Sequence, residues 1–351
     1  MTARVAHAFV SAIADSSVDL AAGKVTPQTH WNADHTFLLD ESIVRNGGMV
    51  LNQRPATTMT ASYAYTDVDA WKVKCATTGA TVGQAAAAAV GRTGYALKVT
   101  AYAAADPLKF TTYIESKDAI RLNNATASFS CLARTNASAG SPLCSIIVSK
   151  ANAVDNFSAV TTVATGTGFS VATNTNTLVK LENVSMGDCS NGIQIEIVFA
   201  FVSATSGNFW ITEVTANEGA FVAPFVYVPY DRELQRARRY FESSFDPGVV
   251  PSAGQGSQGY KFAHAFATTD MLCREQFRVP KRTGTPTVTI YKDNAVGTGG
   301  GVNVYNSGWT GQTYTVYITS ANDFSLDINS GTWTSGWTYP ASFYWTADAD
   351  F

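Results

Sequence analysis

Short stretches in which apolar and polar residues alternate, each cut off by Gly, Asn, Ser or Pro, run through most of this chain. No other feature limits its fold as strongly. A period of two sends successive side chains to opposite faces of an extended strand. Such stretches include YALKVTAY (95–102), LKFTTYIE (108–115), TASFSCLAR (126–134), SIIVSK (145–150), TLVKLENVS (177–185), GIQIEIVFAFVS (192–203) and NFWITEVTAN (208–217). Before them, IVRNGGMVLNQRP reads as a strand, a turn at Gly47 and Gly48, and a second strand stopped by Pro55. SYAYTDVDAWKV then alternates around Tyr63, Tyr65, Val68 and Trp71. Roughly eight to ten strands at this spacing predict an antiparallel jelly-roll sandwich over residues 41–229.

A second set follows: YKFAHAFAT, MLCREQFRVP, PTVTIYKD, GVNVYN, TYTVYITS, FSLDI and the closing ASFYWTADADF. It predicts a C-terminal antiparallel β-domain over residues 246–351. No internal repeat is visible, which argues against a solenoid or propeller.

Between the two sets, PFVYVPYDRELQRARRYFES (224–243) carries the one helical period. Asp231 suits an N-cap, where its carboxylate can accept free amide hydrogens of the first turn. Leu234, Ala237 or Arg238, and Phe241 recur at helical spacing with Tyr240 beside them, and Pro247 and Gly248 close the segment. The expectation is a short linking helix over residues 230–245 in an otherwise all-β chain. Arg236, Arg238 and Arg239 sit late, where cations suit the negative helix end. They read either as a solvated face or as a basic collar for a partner chain.

The chain has 351 residues, of which 46% are hydrophobic and 12% aromatic, enough for real cores. Only 15% are charged, against roughly 25% in a typical soluble domain, so the surface is polar but uncharged. That suits a rigid β-assembly or carbohydrate contact. The net charge of −3 gives no basic excess for nucleic acid or for an anionic membrane. Five cysteines, at positions 75, 131, 144, 189 and 273, form no C-x-x-C pair and have no His at ligand spacing. They read as free, mostly buried thiols, which fits assembly in a reducing cytoplasm. The N-terminal apolar run is broken by Asp15 and makes a poor signal peptide.

Residues 1–40 differ from the rest. Residues 1–20 read as a short helix or an extended arm. TPQTHWNADHTF (26–37) is polar and turn-rich, and it brings His30, Trp31, His35 and Phe37 together. Metal binding through His30 and His35 with Asp34 is one reading, a plain loop another. The third is a docking segment with Trp31 as its anchor in a partner.

Catalytic patterns are weak. Residues 254–259 match G-x-G-x-x-G, but VVPSA precedes them and a strand follows, which is the wrong context for a dinucleotide. No G-x-S-x-G elbow exists, and the histidines pair with no Ser or Cys motif. Glu115, Glu182, Glu196 and Glu213 lie in predicted strands, and any two brought close would mimic a glycosidase pair. The Asn124 and Asn183 sequons are expected by chance in so Thr- and Asn-rich a chain. No cofactor and no metal are called for.

Three passages together resemble phage tail fibre and receptor-binding proteins. IVRNGGMVLNQRP…YTDVDAW (43–71) looks like the opening of their carbohydrate-binding-module-like jelly roll, through Gly47, Gln53, Arg54, Asp69 and Trp71. WITEVTANEGAFVAPFVYVPYDRELQRARRYFES (210–243) is similar to that module's last strand and its helical exit. FRVPKRTGTPTVTIY (277–291) with FYWTADADF (343–351) looks like the distal β-domain. The resemblance covers residues 43–351, and TPQTHWNADHTF resembles attachment segments near fibre N-termini. It implies a homotrimeric virion protein, assembled in the host bacterial cytoplasm, whose distal part binds host surface glycan. A long shaft is missing here, which leaves open a tail fibre, a capsid head fibre or decoration protein with a structural role, or a polysaccharide-degrading tailspike. Residues 1–40 would dock on a tail adaptor, portal-proximal or capsid protein.

Sugar binding needs exposed rings to stack on apolar sugar faces, with hydrogen-bonding groups beside them. Trp309, Trp333, Trp337 and Tyr339 lie in or beside Gly- and Thr-rich turns and are the glycan-contact candidates; the alternative is that they pack a core. In a trimer, Leu234, Phe241 and Tyr240 would face the axis and the arginines would face out.

Overall fold

The computed structural model describes residues 4–5, 35–36 and 42–351, apart from 55–56, 59–61, 75–79, 88, 138, 140–141, 204, 247–248, 250, 254–258 and 294–300. Two compact units are present, residues 1–42 and 43–351. In the first unit, Arg4–Val5 pairs antiparallel with His35–Thr36. His30, Trp31, Asp34 and Phe37 lie outside the described residues, as does the expected helix or arm over 1–20.

The second unit is all-β with little helix. Its first half is an antiparallel jelly-roll sandwich of two sheets. One sheet runs Asn156–Thr165, Leu143–Ala153, Ile193–Ala200, Leu108–Ile114, Lys72–Lys74 and Ala64–Tyr65, with Phe169–Ser170 added to Leu143–Ala153. The other runs Thr177–Ser185, Thr126–Thr135, Thr205–Glu218, Tyr95–Ala104, Thr81–Ala86 and Thr57–Thr58. Alternation puts Phe110, Ile195, Ile197 and Phe199 of the first sheet against Phe129, Phe209 and Ile211 of the second. The Phe199 and Phe209 rings meet edge to face across the sandwich at 5.1 Å. Each such ring contributes about 1.5–3 kcal/mol by leaving water. The described cysteines Cys131, Cys144, Cys189 and Cys273 are free and buried; Cys75 lies outside the described residues.

The opening motif has structural work. A Cβ on Gly47 would lie 2.3 Å from the Val214 carbonyl oxygen, so only glycine fits there. The buried Trp71 donates its indole N–H to the Asn46 carbonyl at 3.2 Å. Gln53 donates to Asp69 at 3.0 Å, and Arg54 lies beside that carboxylate at 3.8 Å.

The second half is one nine-stranded antiparallel sheet. Its organiser is Thr338–Asp348, which pairs with four strands: Tyr260–Ala265, Val302–Tyr305, Phe241–Ser243 and Thr287–Lys292. Ala263, Ala265, Phe324, Leu326, Phe343 and Trp345 build a core separate from that of the sandwich.

The helix runs only over Tyr230–Arg238. Pro229 takes the cap position and its carbonyl receives Arg232 and Glu233, so Asp231 sits in the first turn and not at the cap. The acidic first turn still suits the positive helix end. Leu234 and Ala237 pack on Leu51 of the jelly-roll opening. The buried Glu233 accepts from the Asn46 amide. Beyond the helix, Tyr240 is buried with the Arg45 guanidinium 3.3 Å above its ring, and it donates to Glu115 at 2.8 Å. Arg239 pairs with the same carboxylate at 2.7 Å. Phe241 begins a strand against Asp348, with Arg54 over its ring at 4.0 Å. These contacts end the helix early, and they correct the expected trimer interface. Leu234, Tyr240 and Phe241 are covered by their own chain and offer no free face to an axis. Pro247 and Gly248 lie outside the described residues.

The last residues cross back to the sandwich. Arg54 pairs with Asp348 at 2.7 Å and with Asp350, while Arg45 lies 4.0 Å from Asp350. The Phe351 ring packs between Phe157, Tyr113 and Tyr240, and Lys72 donates to its carbonyl oxygen at 2.8 Å. Burial pushes the Asp69 carboxyl up to about 7 against the pull of Arg54, and pushes Asp350 up as well.

Candidate functional site

One face of the nine-stranded sheet presents large side chains to solvent. On the nine-stranded sheet, Ala263 and Ala265 point into the core, so Tyr260, Phe262 and His264 point out. Phe262 is 76% exposed. Directly opposed residues share a face. Phe262 lies opposite Pro340, His264 opposite Thr338 and Leu272, and Leu272 opposite Asp327. Arg274 lies opposite Ser325, which lies opposite the exposed Tyr317. At the other edge, Tyr305 pairs with Trp309. The Trp309 ring stands 5.5 Å from both Tyr305 and Tyr260, so three rings form one cluster.

Polar groups stand among these rings. Arg274 is held by Asp323 at 2.9 Å. Asp327 has a raised pKa, first through burial and then through Asp270. The face therefore offers ring surfaces for C–H groups and fixed donors and acceptors beside them, the pairing that sugar recognition uses.

The sequence candidates divide here. Trp309 is half-buried within the ring cluster, and Trp337 is 63% exposed in the turn before Thr338. Trp333 and Tyr339 are buried, at 5% and 7% exposure, with ring centroids 5.2 Å apart. This corrects the expectation that both face a ligand. The turn folds under the hairpin: the Trp333 amide donates to Thr268, and the Thr334 amide donates to the Tyr339 hydroxyl. Gly331, at φ +108°, makes room, because a Cβ there would lie 2.3 Å from the Trp333 ring.

No protein-family model matches this chain, and no curated protein matches it. Several solved structures are similar, all at low identity. The carbohydrate-binding module TmCBM61, solved with beta-1,4-galactotriose, matches at 11% identity and a TM-score of 0.30, covering 51% of this chain and 100% of that one. A xylan-binding domain of carbohydrate-binding family 22 matches at 16% identity and a TM-score of 0.32, covering 49% and 98%. The enzymatically active domain of tailspike protein 4 from bacteriophage CBA120 matches at 15% and 0.32, covering 51% of this chain and 21% of that one.

The jelly-roll carboxylates each have their own partner. Glu115 is held by Arg239 and Tyr240; burial would raise its pKa, but these hydrogen bonds outweigh burial and lower it. Glu196 accepts from Tyr63 and pairs with Lys109. Glu213 accepts from the Arg92 amide, and Glu182 from the Val222 amide. Among the described residues, no cluster of His, Cys, Asp and Glu is placed to hold a metal ion. Residues 254–258 of the glycine-rich motif lie outside the described residues. Gly259 lies against the Phe343 backbone, where a Cβ would sit 2.5 Å from the carbonyl oxygen.

Proposed function

We propose that this chain is a structural protein of a phage particle, a tail fibre that attaches through residues 1–40 and binds host surface polysaccharide with its C-terminal domain. The observation that carries the binding half is the Tyr260–Trp309–Tyr305 cluster on an exposed sheet face. Unpartnered rings cost solubility, and a contiguous set of them marks an interaction surface. The residue-level resemblance to fibre proteins supports the particle half. Assembly as a homotrimer would let several weak sites act together. The trimer contact would then lie away from Leu234, Tyr240 and Phe241.

Host capsule or lipopolysaccharide immobilised on a sensor surface should retain the protein. The double variant Trp309→Ala with Trp337→Ala should lose at least about tenfold in retention, as expected when roughly 1.4 kcal/mol of contact is removed, with thermal unfolding unchanged. Equal retention would remove this face from the binding reading. Release of oligosaccharide during incubation would replace a binder with an enzyme. Light scattering should give three times 37.4 kDa, and a monomer would count against the trimer. A variant lacking residues 1–40 should fail to join particles.

A further inference from the structure

A small surface pocket opens where the helix Tyr230–Arg238 leaves the jelly roll for the distal sheet. It is shallow and open to solvent, and Gln53, Arg238, Ser243, Phe245, Asp246 and Arg278 line it. Two of these are arginines. Several other arginines meet carboxylates: Arg54 meets Asp348 and Asp350, Arg236 meets Glu233, Arg239 meets Glu115, and Arg274 meets Asp323. Arg238 and Arg278 have no carboxylate within ion-pair distance among the described residues, although Asp246 shares the pocket wall. The nearby Glu242 is fully buried and already taken, by Lys281 at 2.6 Å and by the Arg278 backbone amide at 3.0 Å. Burial, and then repulsion from Arg278, pushes the Arg238 pKa down.

Ser243 adds a third group. Its hydroxyl oxygen accepts from the Phe245 amide at 3.1 Å, and its own proton has no acceptor among the described residues. We propose that this pocket binds an oxyanion carried by an acidic sugar unit, a carboxylate or a phosphate ester. Arg238 and Arg278 would supply the forks and Ser243 a hydroxyl donor. Two guanidinium groups facing one pocket repel each other, and an oxyanion between them replaces that repulsion with charge-assisted hydrogen bonds. The aromatic face offers ring surfaces for neutral sugar; this pocket selects for charge and is independent of that face.

Calorimetry at low ionic strength on the full chain tests the proposal, with glucuronate, glucose 1-phosphate and glucose as probes. One or both acidic probes should bind and glucose should not. Glucuronate alone would assign a carboxylate, glucose 1-phosphate alone a phosphate ester. Arg278→Gln, on an exposed side chain, should weaken binding at least tenfold with an unchanged circular dichroism spectrum. Arg278→Lys should recover part of the loss, and Arg134→Gln, on an arginine that donates to Asn176, should change nothing. The Trp309→Ala, Trp337→Ala variant should keep this binding, so the pocket and the aromatic face fail or stand separately. No binding of either acidic probe, or equal binding by Arg278→Gln, overturns the proposal.

Discussion

The outer faces of the two large sheets are built on the same pleat and end in opposite states. On the seven-stranded jelly-roll sheet, the chain covers its own outer face. Tyr63, Lys109 and Glu196 close over one part, and Phe157, Tyr113 and the Phe351 ring close over another. The strand Ile193–Ala200 is therefore buried along all but its last residue, with Gln194, Glu196 and Val198 nearly as hidden as the isoleucines. On the nine-stranded sheet, Tyr260–Ala265 keeps strict alternation, and its large residues point to solvent. A sheet face left bare with rings on it is available for contact. A sheet face filled by ion pairs and by the chain's own tail serves cohesion.

Three perturbations would break or sharpen this contrast. The largest effect should come from Arg54→Ala, which leaves the buried carboxyl groups of Asp69 and Asp350 and the part-exposed Asp348 around a lost cation. Removing one partner of a buried pair costs about 3–5 kcal/mol, to be read as a fall in the urea midpoint. A fall no larger than a surface substitution gives would mean the tail does not hold the covered face.

A pH series comes next. Asp69 titrates at about 7 when folded and near 3.9 when unfolded, so the folded state holds the extra proton between those values. Its contribution to stability is present at low pH and is lost as pH rises from about 4 to about 7. Asp350 acts in the same direction. Glu115 acts in the opposite direction, since its stabilisation is lost only as pH falls through its lowered pKa. Asp69→Asn should flatten the decline between about pH 4 and about pH 7 by up to a few kcal/mol. An unchanged slope in unfolding curves would sink the assignment to Asp69. The smallest effect should come from Phe262→Ser on the bare face, within about 0.5 kcal/mol of wild type, while retention on polysaccharide falls. A large loss of stability there would show the face to be covered.

The strands were legible wherever alternation met a buried face, as in 95–102 and 126–134. Asn156–Thr165 was not, because its threonines and alanines sit at an edge, largely exposed on both faces, and give no period. The helix is legible in its period, but the period runs on to Phe241 while the helix ends at Arg238. Nothing local stops it at Arg238; the stop comes from Glu115, Arg45 and Asp348, all distant in sequence. Placement in a turn does not separate exposed rings from buried ones here. Trp333 sits in a turn and is buried under a hairpin, while Tyr260, Phe262 and Tyr317 sit in strands and are exposed. YKFAHAFAT held the missed signal: Ala263 and Ala265 leave room for Phe343 and Trp345 in the core, which turns the alternate rings outward. Alternation alone cannot say which of two faces is inside.

The Arg54–Asp350 contact joins residues 296 positions apart. At about 5–20 residues per second, a ribosome takes roughly 15–60 s to travel that distance. The last sandwich strand ends at Glu218, 132 residues before Asp350, so for roughly 7–26 s of that time a completed sandwich holds Arg54 with Asp348 and Asp350 unmade. Closure of the covered face thus waits on Asp348 and Asp350, and a chaperone or a neighbouring nascent chain has that long to reach the uncovered face first.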